Sequence, residues 1–365
     1  MRALTISAHG GLEQLEYRTD LPVPDVPPGH VRVRLRAAAL NHLDLFTLRG
    51  LPGLTIKPPW IMGADGTGVI DAIGSPSNSG IEDDRLPTQP PQHVHEGEEL
   101  TVGTRVIINA GISDRSCEYC VAGEQSLCVR FQLLGEHLPG TMAEFVVVPV
   151  ENVRRVPAEI PVEQAAAFTL AALTAWRMII TRAEVGPDDD VLIWGIGGGV
   201  AQAALQIAKM REARVWVTSG TDAKLERARE LGADETLNHR TTDVAKEIRR
   251  RTSKRGVSVV IDSVGQATWT QSLGALGRAG RLVTCGGTSG AIVETDVRRL
   301  FWNQWSIMGS TMGNDAEFDN VVREFRQGRL LPVVDSVFKL EDGRRAFERM
   351  ESGEQFGKIV VSMGT

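Results

Sequence analysis

A glycine-rich turn between a short apolar strand and an apolar-faced helix constrains the fold of this 365-residue chain more than any other feature. Val191–Trp194 is typical of a buried strand, Gly195–Gly199 forms the turn, and Val200–Lys209 is typical of a helix. Glycine suits such a turn because a side chain would keep a pyrophosphate away from the backbone N–H groups and from the positive end of the helix dipole. The segment therefore predicts a dinucleotide-binding turn.

The spacing of these glycines departs from the common GxGxxG pattern. The order here is Gly195-x-x-Gly198-x-x-Ala201, and Val200 stands where that pattern needs Gly or Ala. A glycine-rich loop of structural origin is the alternative, but the strand–turn–helix context favours cofactor binding. The predicted cofactor contacts of the turn are Gly195, Gly198, Gly199, Val200 and Ala201.

Strand-like and helix-like segments alternate from about residue 160 to residue 285. Strands are predicted near 190–194, 214–218, 235–237, 258–261 and 280–285, with helices near 199–211, 222–231, 242–252 and 267–278. Such alternation specifies a parallel sheet with helices on both faces, because each crossover returns the chain to the same edge. The predicted fold class is therefore α/β, with a doubly wound Rossmann sheet.

The first third of the chain is predicted to be mainly β structure. Apolar residues alternate with Arg in Val31–Arg36, which is typical of a strand with one buried and one solvated face. Residues 75–102 have no apolar periodicity and are expected to form a solvated insertion, in which His93 and His95 are only weak evidence for a metal. The mixed segments from 318 to 361 could complete either half.

The residues after the second strand of the alternating series bear on the choice of cofactor. An NAD site usually has Asp or Glu at this strand end, about 20 residues past the glycines, to bind the ribose 2′-OH. Thr218, Ser219 and Gly220 stand there instead, and Asp222 comes later, in a predicted first helical turn. A hydroxyl at Ser219 together with Lys224 suits a 2′-phosphate, although a single lysine is more often a solvated helix residue. We therefore expect NADP(H) rather than NAD(H).

Three of the four cysteines are crowded into one short segment with an acidic residue before them. Asp114, Cys117, Cys120 and Cys128 have the spacing of a metal knuckle, and four protein ligands would make a closed, structural zinc site. The alternative is an empty knuckle in which Asp114 only caps a turn. The fourth cysteine, Cys285, stands at a predicted strand end and is expected to be a packed core thiol.

Composition and charge exclude several classes of function. The formal charge of -6 argues against a broad nucleic-acid or anionic-membrane surface. The longest apolar stretch, Ala165–Trp176, is about 12 residues and too short to cross a bilayer. The N-terminus has no sustained apolar segment, so no secretory signal is predicted. We expect a cytoplasmic enzyme with a small-molecule substrate and neither a nucleic-acid nor a membrane partner.

Seven segments together resemble the medium-chain dehydrogenase/reductase superfamily, in its quinone oxidoreductase-like and alcohol dehydrogenase-like branch: AALNHLDLFTLRG, MGADGTGVI, GTMAEFVVVP, AAAFTLAALTAW, GIGGGVA, ARELGAD and FGKIVV. The resemblance implies a GroES-like catalytic domain over 1–157, completed by 316–365, and a Rossmann domain over 158–315. It places the active site in the cleft between them. It also implies that the Asp114 cluster is the family's four-cysteine zinc lobe with its first Cys replaced.

The resemblance also shows where this chain departs from the zinc-dependent members. Those members have Cys, His and Cys at the positions that look like Asn41, Ala64 and Leu170 here. Ala and Leu offer no donor atom, so no catalytic zinc is expected. The hydroxyl of the proton relay would fall at Leu43, and the tyrosine acid of some relatives at Phe46. The chemistry must then rest on orientation and on hydrogen-bond donors.

By the same resemblance, three polar residues are the catalytic candidates. Asn41 and Asp44 match the Asn and acid of the quinone oxidoreductase pattern and should face the cleft, and Asp65 should lie nearby. For both acids, a role in orienting loops by hydrogen bonds is the alternative. His42 matches a basic group that contacts the cofactor pyrophosphate in related enzymes. A residue with neither role is the first alternative, and catalysis is the least favoured one.

The remaining implied contacts lie later in the chain. Thr174 should touch the nicotinamide ribose region and Lys358 a phosphate. The nicotinamide pocket should be lined by Cys285, Gly286, Ser310, Thr311 and Met312. Trp302–Gly309 looks like the family's edge strand, which pairs across a twofold axis. Because an uncovered apolar edge strand invites association, a homodimer or homotetramer is expected.

These observations favour an NADPH-dependent reductase without a catalytic zinc, acting on a quinone, an enone or a related activated carbonyl acceptor. A zinc-containing alcohol dehydrogenase acting on small alcohols or aldehydes is the first alternative. A protein that binds NADP but has lost catalysis, and serves in interaction or sensing, is the second.

Overall fold

The computed structural model describes residues 1–74 and 100–364. Nearly all of the predicted insertion, including His93 and His95, lies outside the described residues. Among those that are described, no helix combines the length and the apolar character needed to cross a membrane.

The N-terminal part is rich in short strands, as the sequence predicts. Its strands are β1 (Ala3–Ile6), β2 (Leu15–Arg18), β3 (His30–Ala39), β4 (Trp60–Ile61), β5 (Asp65–Ile73), β6 (Arg105–Ile108), β7 (Gly111–Ile112), β8 (Gln132–Leu133), β9 (Phe145–Pro149) and β10 (Val153–Arg155). Two helices accompany them, α1 (His42–Arg49) and α2 (Glu118–Val121). The alternating burial along β3 matches its apolar and Arg alternation.

The middle of the chain alternates between helix and strand. After α3 (Val162–Ala166), α4 (Thr169–Trp176) and a π-helical turn (Arg177–Arg182) come β11 (Asp190–Ile193), α5 (Gly199–Met210), β12 (Arg214–Ser219), α6 (Asp222–Glu230), β13 (Glu235–Asn238), α7 (Val244–Arg251), β14 (Val257–Asp262), α8 (Trp269–Ala275), β15 (Leu276–Thr284), α9 (Val297–Asn303) and β16 (Ser306–Gly309). These strands form one parallel sheet in the order β13-β12-β11-β14-β15-β16. The predicted doubly wound sheet is confirmed.

The last part of the chain returns to the N-terminal strands. It contains α10 (Asp315–Arg326), β17 (Val334–Lys339), α11 (Gly343–Glu351) and β18 (Lys358–Ser362). β18 pairs antiparallel with β3, with Val360 opposite Ala39, and β17 pairs parallel with β18. The larger N-terminal sheet therefore has the order β10-β6-β5-β3-β18-β17, with β9 also paired to β3.

Both faces of the parallel sheet are buried, which explains the continuous apolar runs of its central strands. Val191 and Ile193 belong to one hydrophobic cluster, whereas Leu192 and Trp194 belong to a second. Successive side chains of a strand point to opposite faces, so β11 contributes to both. This double burial fixes the position of the glycine turn that follows β11.

The edge of the parallel sheet differs from the prediction. Only Ser306–Gly309 forms the edge strand, and Trp302 lies in α9. The reason is a helix cap: the Asp296 carboxylate accepts a hydrogen bond from the backbone N–H of Arg298 at 2.9 Å. This cap starts a helix where the sequence had suggested a continuous strand.

Candidate active site in the cleft between the two sheets

A cleft of about 860 Å³ lies between the N-terminal sheet and the parallel sheet. Its size falls in the range of small-molecule and cofactor sites. Most of the predicted cofactor residues line it: His42, Thr174, Gly195, Gly198, Gly199, Val200, Ala201, Ser219, Lys224, Cys285, Gly286, Thr311, Met312 and Lys358. Ser310 does not line it; its backbone N–H donates to the Thr284 carbonyl at 2.9 Å, which continues the register of β15 and β16.

The glycine turn presents the start of α5 to this cleft. Gly195 has a φ of 69°, a left-handed conformation that favours glycine, and its N–H donates to Oγ1 of Thr218 at 3.1 Å. Gly198 precedes the first helical residue, and among the described residues the atom nearest to the place of its Cβ is the Gly195 carbonyl oxygen, at 3.6 Å. An open turn at the amino end of a helix is suited to an anionic pyrophosphate.

One end of the cleft is basic. Lys224 reaches across to donate to the Gly353 carbonyl at 2.6 Å, and burial, followed by the charge of Arg349, lowers its pKa. A Cβ at Gly220 would lie 2.7 Å from Nε of Arg240 and 3.2 Å from Nε2 of His239. The absence of a side chain at Gly220 therefore lets both groups approach the end of β12.

Sequence reasoning missed this contribution of β13. His239 and Arg240 follow directly after β13, which pairs with β12 so that Ser219 lies opposite Asn238. A basic pair at the end of β13, the strand that follows β12 in the sequence and pairs with it, was the available signal. Asp222 lies in the first turn of α6, as expected, and its carboxylate accepts from Nδ2 of Asn238 at 2.8 Å.

The opposite end of the cleft is mostly apolar. Its wall consists of Leu40, Leu43, Phe46, Leu133, Leu170 and Met312. Thr174 adds a hydroxyl that donates to the Met312 sulfur at 3.7 Å. Cys285 lies beside this region, and burial raises the pKa of its thiol to about 12, in keeping with the expected unreactive thiol.

A buried polar network joins three of the predicted residues at this apolar end. The Lys358 ammonium donates to Oδ1 of Asn41 and to Oδ2 of Asp65, the latter at 3.0 Å. Nδ2 of Asn41 donates to the same carboxylate at 3.0 Å. Because an ammonium only donates and a carboxylate only accepts, these two partners fix which way the Asn41 amide faces.

This network spans the positions at which zinc-dependent relatives were expected to hold metal ligands. Asp65 directly follows Ala64, and its Oδ1 accepts from the backbone N–H of Leu170 at 2.8 Å. The structure thus brings Asn41, Asp65 and Leu170 together as expected. The side chains of Ala64 and Leu170 carry no donor atom, and the Lys358 ammonium lies beside Asp65 in this network.

Two placements differ from the expectation. Asp44 does not line the cleft, because its carboxylate turns back to accept from the Asn41 backbone N–H at 2.7 Å and closes the start of α1. Burial raises its pKa to about 7. Lys358 was expected to contact a phosphate, but its ammonium faces Asn41 and Asp65 rather than the glycine turn.

His42 lies at the first position of α1 and lines the cleft between the polar network and the glycine turn. More than a third of its surface is exposed, yet the surrounding protein displaces enough water to lower its pKa, and the charges of Lys358 and Arg49 act in the same direction. It is therefore a neutral hydrogen-bonding group near neutral pH.

The predicted metal knuckle is assembled away from the cleft. The ligand atoms of Asp114, Cys117, Cys120 and Cys128 all lie within 4.8 Å of one another, and no other such group occurs in residues 1–74 and 100–364. The sulfurs of Cys117 and Cys120 are 3.5 Å apart, close to the separation of about 3.8 Å that tetrahedral Zn–S bonds of about 2.3 Å require.

The two carboxylate oxygens of Asp114 are placed for both of the roles that the sequence left open. Its Oδ1 caps the following turn by accepting from the N–H groups of Ser116 and Cys117, both at 3.0 Å. Its Oδ2 accepts from Arg130 at the longer distance of 3.4 Å, and the carboxylate lies beside the thiols of Cys120 and Cys128. One carboxylate oxygen can therefore shape the loop while the other remains available to a metal. The donor set fits a structural zinc.

Comparisons with known proteins agree with this architecture. Residues 27–158 match a family model described as the alcohol dehydrogenase GroES-like domain, and residues 199–327 match one described as zinc-binding dehydrogenase. A solved structure of an NAD-dependent alcohol dehydrogenase is 41% identical, with 100% of both chains covered and a TM-score of 0.90. An NAD-dependent alcohol dehydrogenase of Sulfurisphaera tokodaii is 27% identical over 99% of both chains. A quinone oxidoreductase of Homo sapiens is 25% identical over 99% of this chain and 97% of its own.

Proposed function

The chain belongs to the medium-chain dehydrogenase/reductase superfamily, and within it we propose an NADPH-dependent reductase that works without a catalytic zinc. Its acceptor would be a quinone, an enone or a related activated carbonyl compound. The observation that carries the proposal is the buried network of Asn41, Asp65 and Lys358 beside Ala64 and Leu170. The side chains of Ala64 and Leu170 have no atom that can bind a metal.

The cofactor would lie along the cleft from its basic end to its apolar end. When bound, NADPH supplies the hydride. The glycine turn and the start of α5 would bind the pyrophosphate, with His42 beside it. Thr174 and Met312 would contact the nicotinamide half. The domain division proposed with this placement is 1–157 with 316–365 for the catalytic domain and 158–315 for the cofactor domain.

The preference for NADPH over NADH rests on the basic end of the cleft. Ser219 and Gly220 provide no carboxylate to bind a ribose 2′-OH or to repel a 2′-phosphate. Lys224 and Arg240 stand beside them and offer positive charge to that phosphate. NAD(H), the cofactor named for two of the relatives, is the competing choice.

Catalysis would then depend on orientation and on fixed donors at the apolar end. Asn41 lines the cleft, and its amide NH₂ side is fixed by Lys358 and Asp65. The second amide N–H, whose contact to the Ala39 carbonyl is long at 3.5 Å, would turn to donate to the acceptor's oxygen, while Leu170 and Phe46 exclude bulk water from the hydride path. Water at the cleft mouth would supply the final proton, since Asp44 is turned away from the cleft.

Two further parts of the proposal concern assembly. The Asp114–Cys128 knuckle would hold one structural zinc, coordinated by Asp114, Cys117, Cys120 and Cys128.

The edge strand β16 lies beside α9, whose Phe301 and Trp302 are 63% and 69% exposed. Because exposed aromatic side chains next to an open strand edge favour association, this edge would pair in a homodimer, or in a tetramer built from such dimers.

The decisive experiment is an acceptor screen with purified protein. NADPH oxidation is followed with quinones and enones, before and after dialysis against a chelator that removes accessible metal. Turnover that survives the chelator supports the proposal. Oxidation of small alcohols that is lost after the chelator treatment would instead indicate a zinc-containing alcohol dehydrogenase. Tight NADPH binding without turnover of any acceptor would favour a binding protein that has lost catalysis.

A further inference from the structure

The side chain of Lys358 reaches the apolar end of the cleft by passing so close to Gly199 that a larger residue there would collide with it. Its side chain leaves β18 and crosses the start of α5. A Cβ at Gly199 would lie 2.7 Å from Cδ of Lys358 and 3.2 Å from Cβ of Ala171. Because Gly199 has no side chain, the aliphatic part of Lys358 can pass close to its backbone. The ammonium thereby reaches the apolar end of the cleft, opposite the basic end.

The Lys358 ammonium is held by two hydrogen bonds and is almost completely buried from solvent. Lys358 is 4% exposed, and its nitrogen donates to Oδ1 of Asn41 and Oδ2 of Asp65. An ammonium has three N–H donors, and within the described residues only these two have partners. Asp65 is fully buried behind the lysine, whereas Lys358 lines the cleft. The positive member of the pair is thus the one nearer to the substrate.

The location argues for a role in chemistry rather than in phosphate binding. Asp65 also accepts from the Leu170 N–H, so the ammonium lies among residues at or next to all three positions that correspond to metal ligands. Fixed charge in a water-poor site acts on nearby developing charge far more strongly than charge in water. No reorganisation is needed during the reaction, because both partners already hold the lysine in place.

We infer that the Lys358 ammonium stabilises the negative charge that develops on the acceptor's oxygen, taking the electrostatic part that a metal ion plays in metal-dependent relatives. The inference rests on the proposed reductase function. For an enone, the C–H bond at nicotinamide C4 breaks and a C–H bond forms at the β-carbon. The C=C π pair would form a new double bond between the α-carbon and the carbonyl carbon, and the carbonyl π pair would move onto the oxygen next to the ammonium. Water would then give a proton to the α-carbon as the C=O bond re-forms, so that NADPH is oxidised to NADP⁺ and the enone is reduced to the saturated carbonyl compound.

The test compares Lys358→Met with Lys339→Met. Methionine keeps the length of the stem and removes the charge, while the control removes an exposed lysine from the neighbouring strand β17. Because Lys358→Met leaves Asp65 without its cation, the double variant Asp65→Asn/Lys358→Met serves as the variant with no buried charge at the pair. Two quantities are measured: the dissociation constant of NADPH, by fluorescence, and the single-turnover rate of hydride transfer to an enone.

The expected result is a loss of hydride transfer of about 100-fold or more in both Lys358 variants, with the NADPH dissociation constant changed by less than about threefold. The control should match the wild type in both quantities. Two outcomes overturn the inference. Tenfold weaker NADPH binding with an unchanged hydride-transfer rate would make Lys358 a phosphate ligand. An unchanged rate in the double variant would make the pair purely structural.

A binding measurement separates failure of this inference from failure of the proposed function. The absorbance of 4-nitrophenol reports whether the NADPH-bound protein takes up the phenolate or the neutral phenol. We expect the wild type to prefer the phenolate and the double variant to lose that preference by about tenfold or more. If the wild type reduces no acceptor, the proposed reductase function fails. A phenolate preference that survives in the double variant overturns the role of Lys358 by itself.

Discussion

Arg177 and Glu124 form a charge-assisted hydrogen bond of 2.6 Å that joins the π-helical turn after α4 to the loop carrying Cys120 and Cys128. The same guanidinium donates to Glu317 at 2.8 Å, and Arg177 is almost fully buried. Glu124 lies between the second and third cysteines of the knuckle. The geometry of the metal knuckle is therefore linked to the buried Arg177–Glu317 ion pair at the start of α10.

Removing the metal should destabilise the protein without disturbing cofactor binding. We expect about one zinc per chain in the wild type and none in a Cys117→Ser/Cys120→Ser variant, by metal analysis. The loosened loop weakens the support of Glu124, so the melting temperature should fall by about 5 °C or more. The NADPH dissociation constant should change less than about twofold, because no knuckle residue lines the cleft.

Asp114→Cys is the matched variant for this prediction, since it supplies a fourth thiolate at the same corner. It should retain zinc against a higher chelator concentration than the wild type does. Two zinc ions per chain in the wild type would contradict the zinc-free cleft. A wild type that holds no zinc would show that Asp114 serves only as a turn cap.

Arg240→Ala should weaken NADPH binding by about 10- to 100-fold and NADH binding by less than about twofold, because only NADPH carries the 2′-phosphate that a charge-assisted bond would hold. Fluorescence titration with both cofactors gives the two dissociation constants. Arg250→Ala removes an exposed arginine of α7 and is the control. Equal weakening of both cofactors would place Arg240 away from the 2′ position.

Asp44→Asn should change how stability depends on pH. Burial raises the pKa of Asp44 from 3.8 to about 7, so the folded protein holds a proton that the unfolded chain releases. The stability from this group is complete below about pH 4 and is lost as the pH rises through about 7. Asparagine is neutral throughout, so the stability of the variant relative to the wild type should increase by about 2–3 kcal/mol between pH 5 and pH 8.

Chemical denaturation at several pH values measures this difference. Asp188→Asn changes an exposed carboxylate and should show no such pH dependence. A relative stability of Asp44→Asn that stays constant between pH 5 and pH 8 would mean that Asp44 is ionised in the folded protein.

Gly199→Ala should reduce turnover by displacing the lysine stem. The new methyl group would meet Cδ of Lys358 at 2.7 Å, and such overpacking costs about 1–3 kcal/mol. We expect hydride transfer to slow by about tenfold or more, together with a lower melting temperature. Gly186→Ala is the matched control, because nothing lies within 4 Å of its Cβ position. Normal turnover in Gly199→Ala would show that Lys358 can shift without consequence.

Trp302→Ser should weaken self-association if the β16 edge forms the dimer contact. Sedimentation equilibrium should then report a dimer for the wild type and a tenfold or larger rise in the dimer dissociation constant for the variant. Val121→Ser removes an apolar group that is 78% exposed on the metal loop and should leave association unchanged. An unaltered mass distribution in Trp302→Ser would place the interface elsewhere.

The parallel sheet could be predicted because its signals are local. Apolar runs such as Val191–Trp194 end in glycines and are followed by helical periodicity. Each strand–turn–helix unit can therefore be recognised from about 25 consecutive residues. The same holds for the metal knuckle, whose four ligands lie within 15 consecutive residues, from Asp114 to Cys128. Most predicted cofactor contacts also line the cleft. Those in the glycine turn followed from this local signal, whereas Thr174, Met312 and Lys358 followed from the family resemblance.

The parts that were missed depend either on a pairing between separate strands or on which local partner a side chain selects. Arg240 reaches the cofactor end only because β13 pairs with β12 in a register that sets Ser219 opposite Asn238. The direction of the Asp44 carboxylate follows from the first turn of α1, where capping its own helix competes with facing the cleft. The edge strand is shorter than expected because Asp296 caps a helix, α9, which includes the first residues of the expected strand.

The contacts of Lys358 also determine the order in which the protein can assemble. Asn41 and Lys358 are 317 positions apart in the sequence, and Asp65 and Lys358 are 293 apart. Contacts of such long range form late, after the local strand–helix units have folded. We therefore expect the glycine turn and its neighbouring strands to form before β18 pairs with β3. In that order a refolding chain would build the glycine turn first and bring the Lys358 ammonium to Asn41 and Asp65 last.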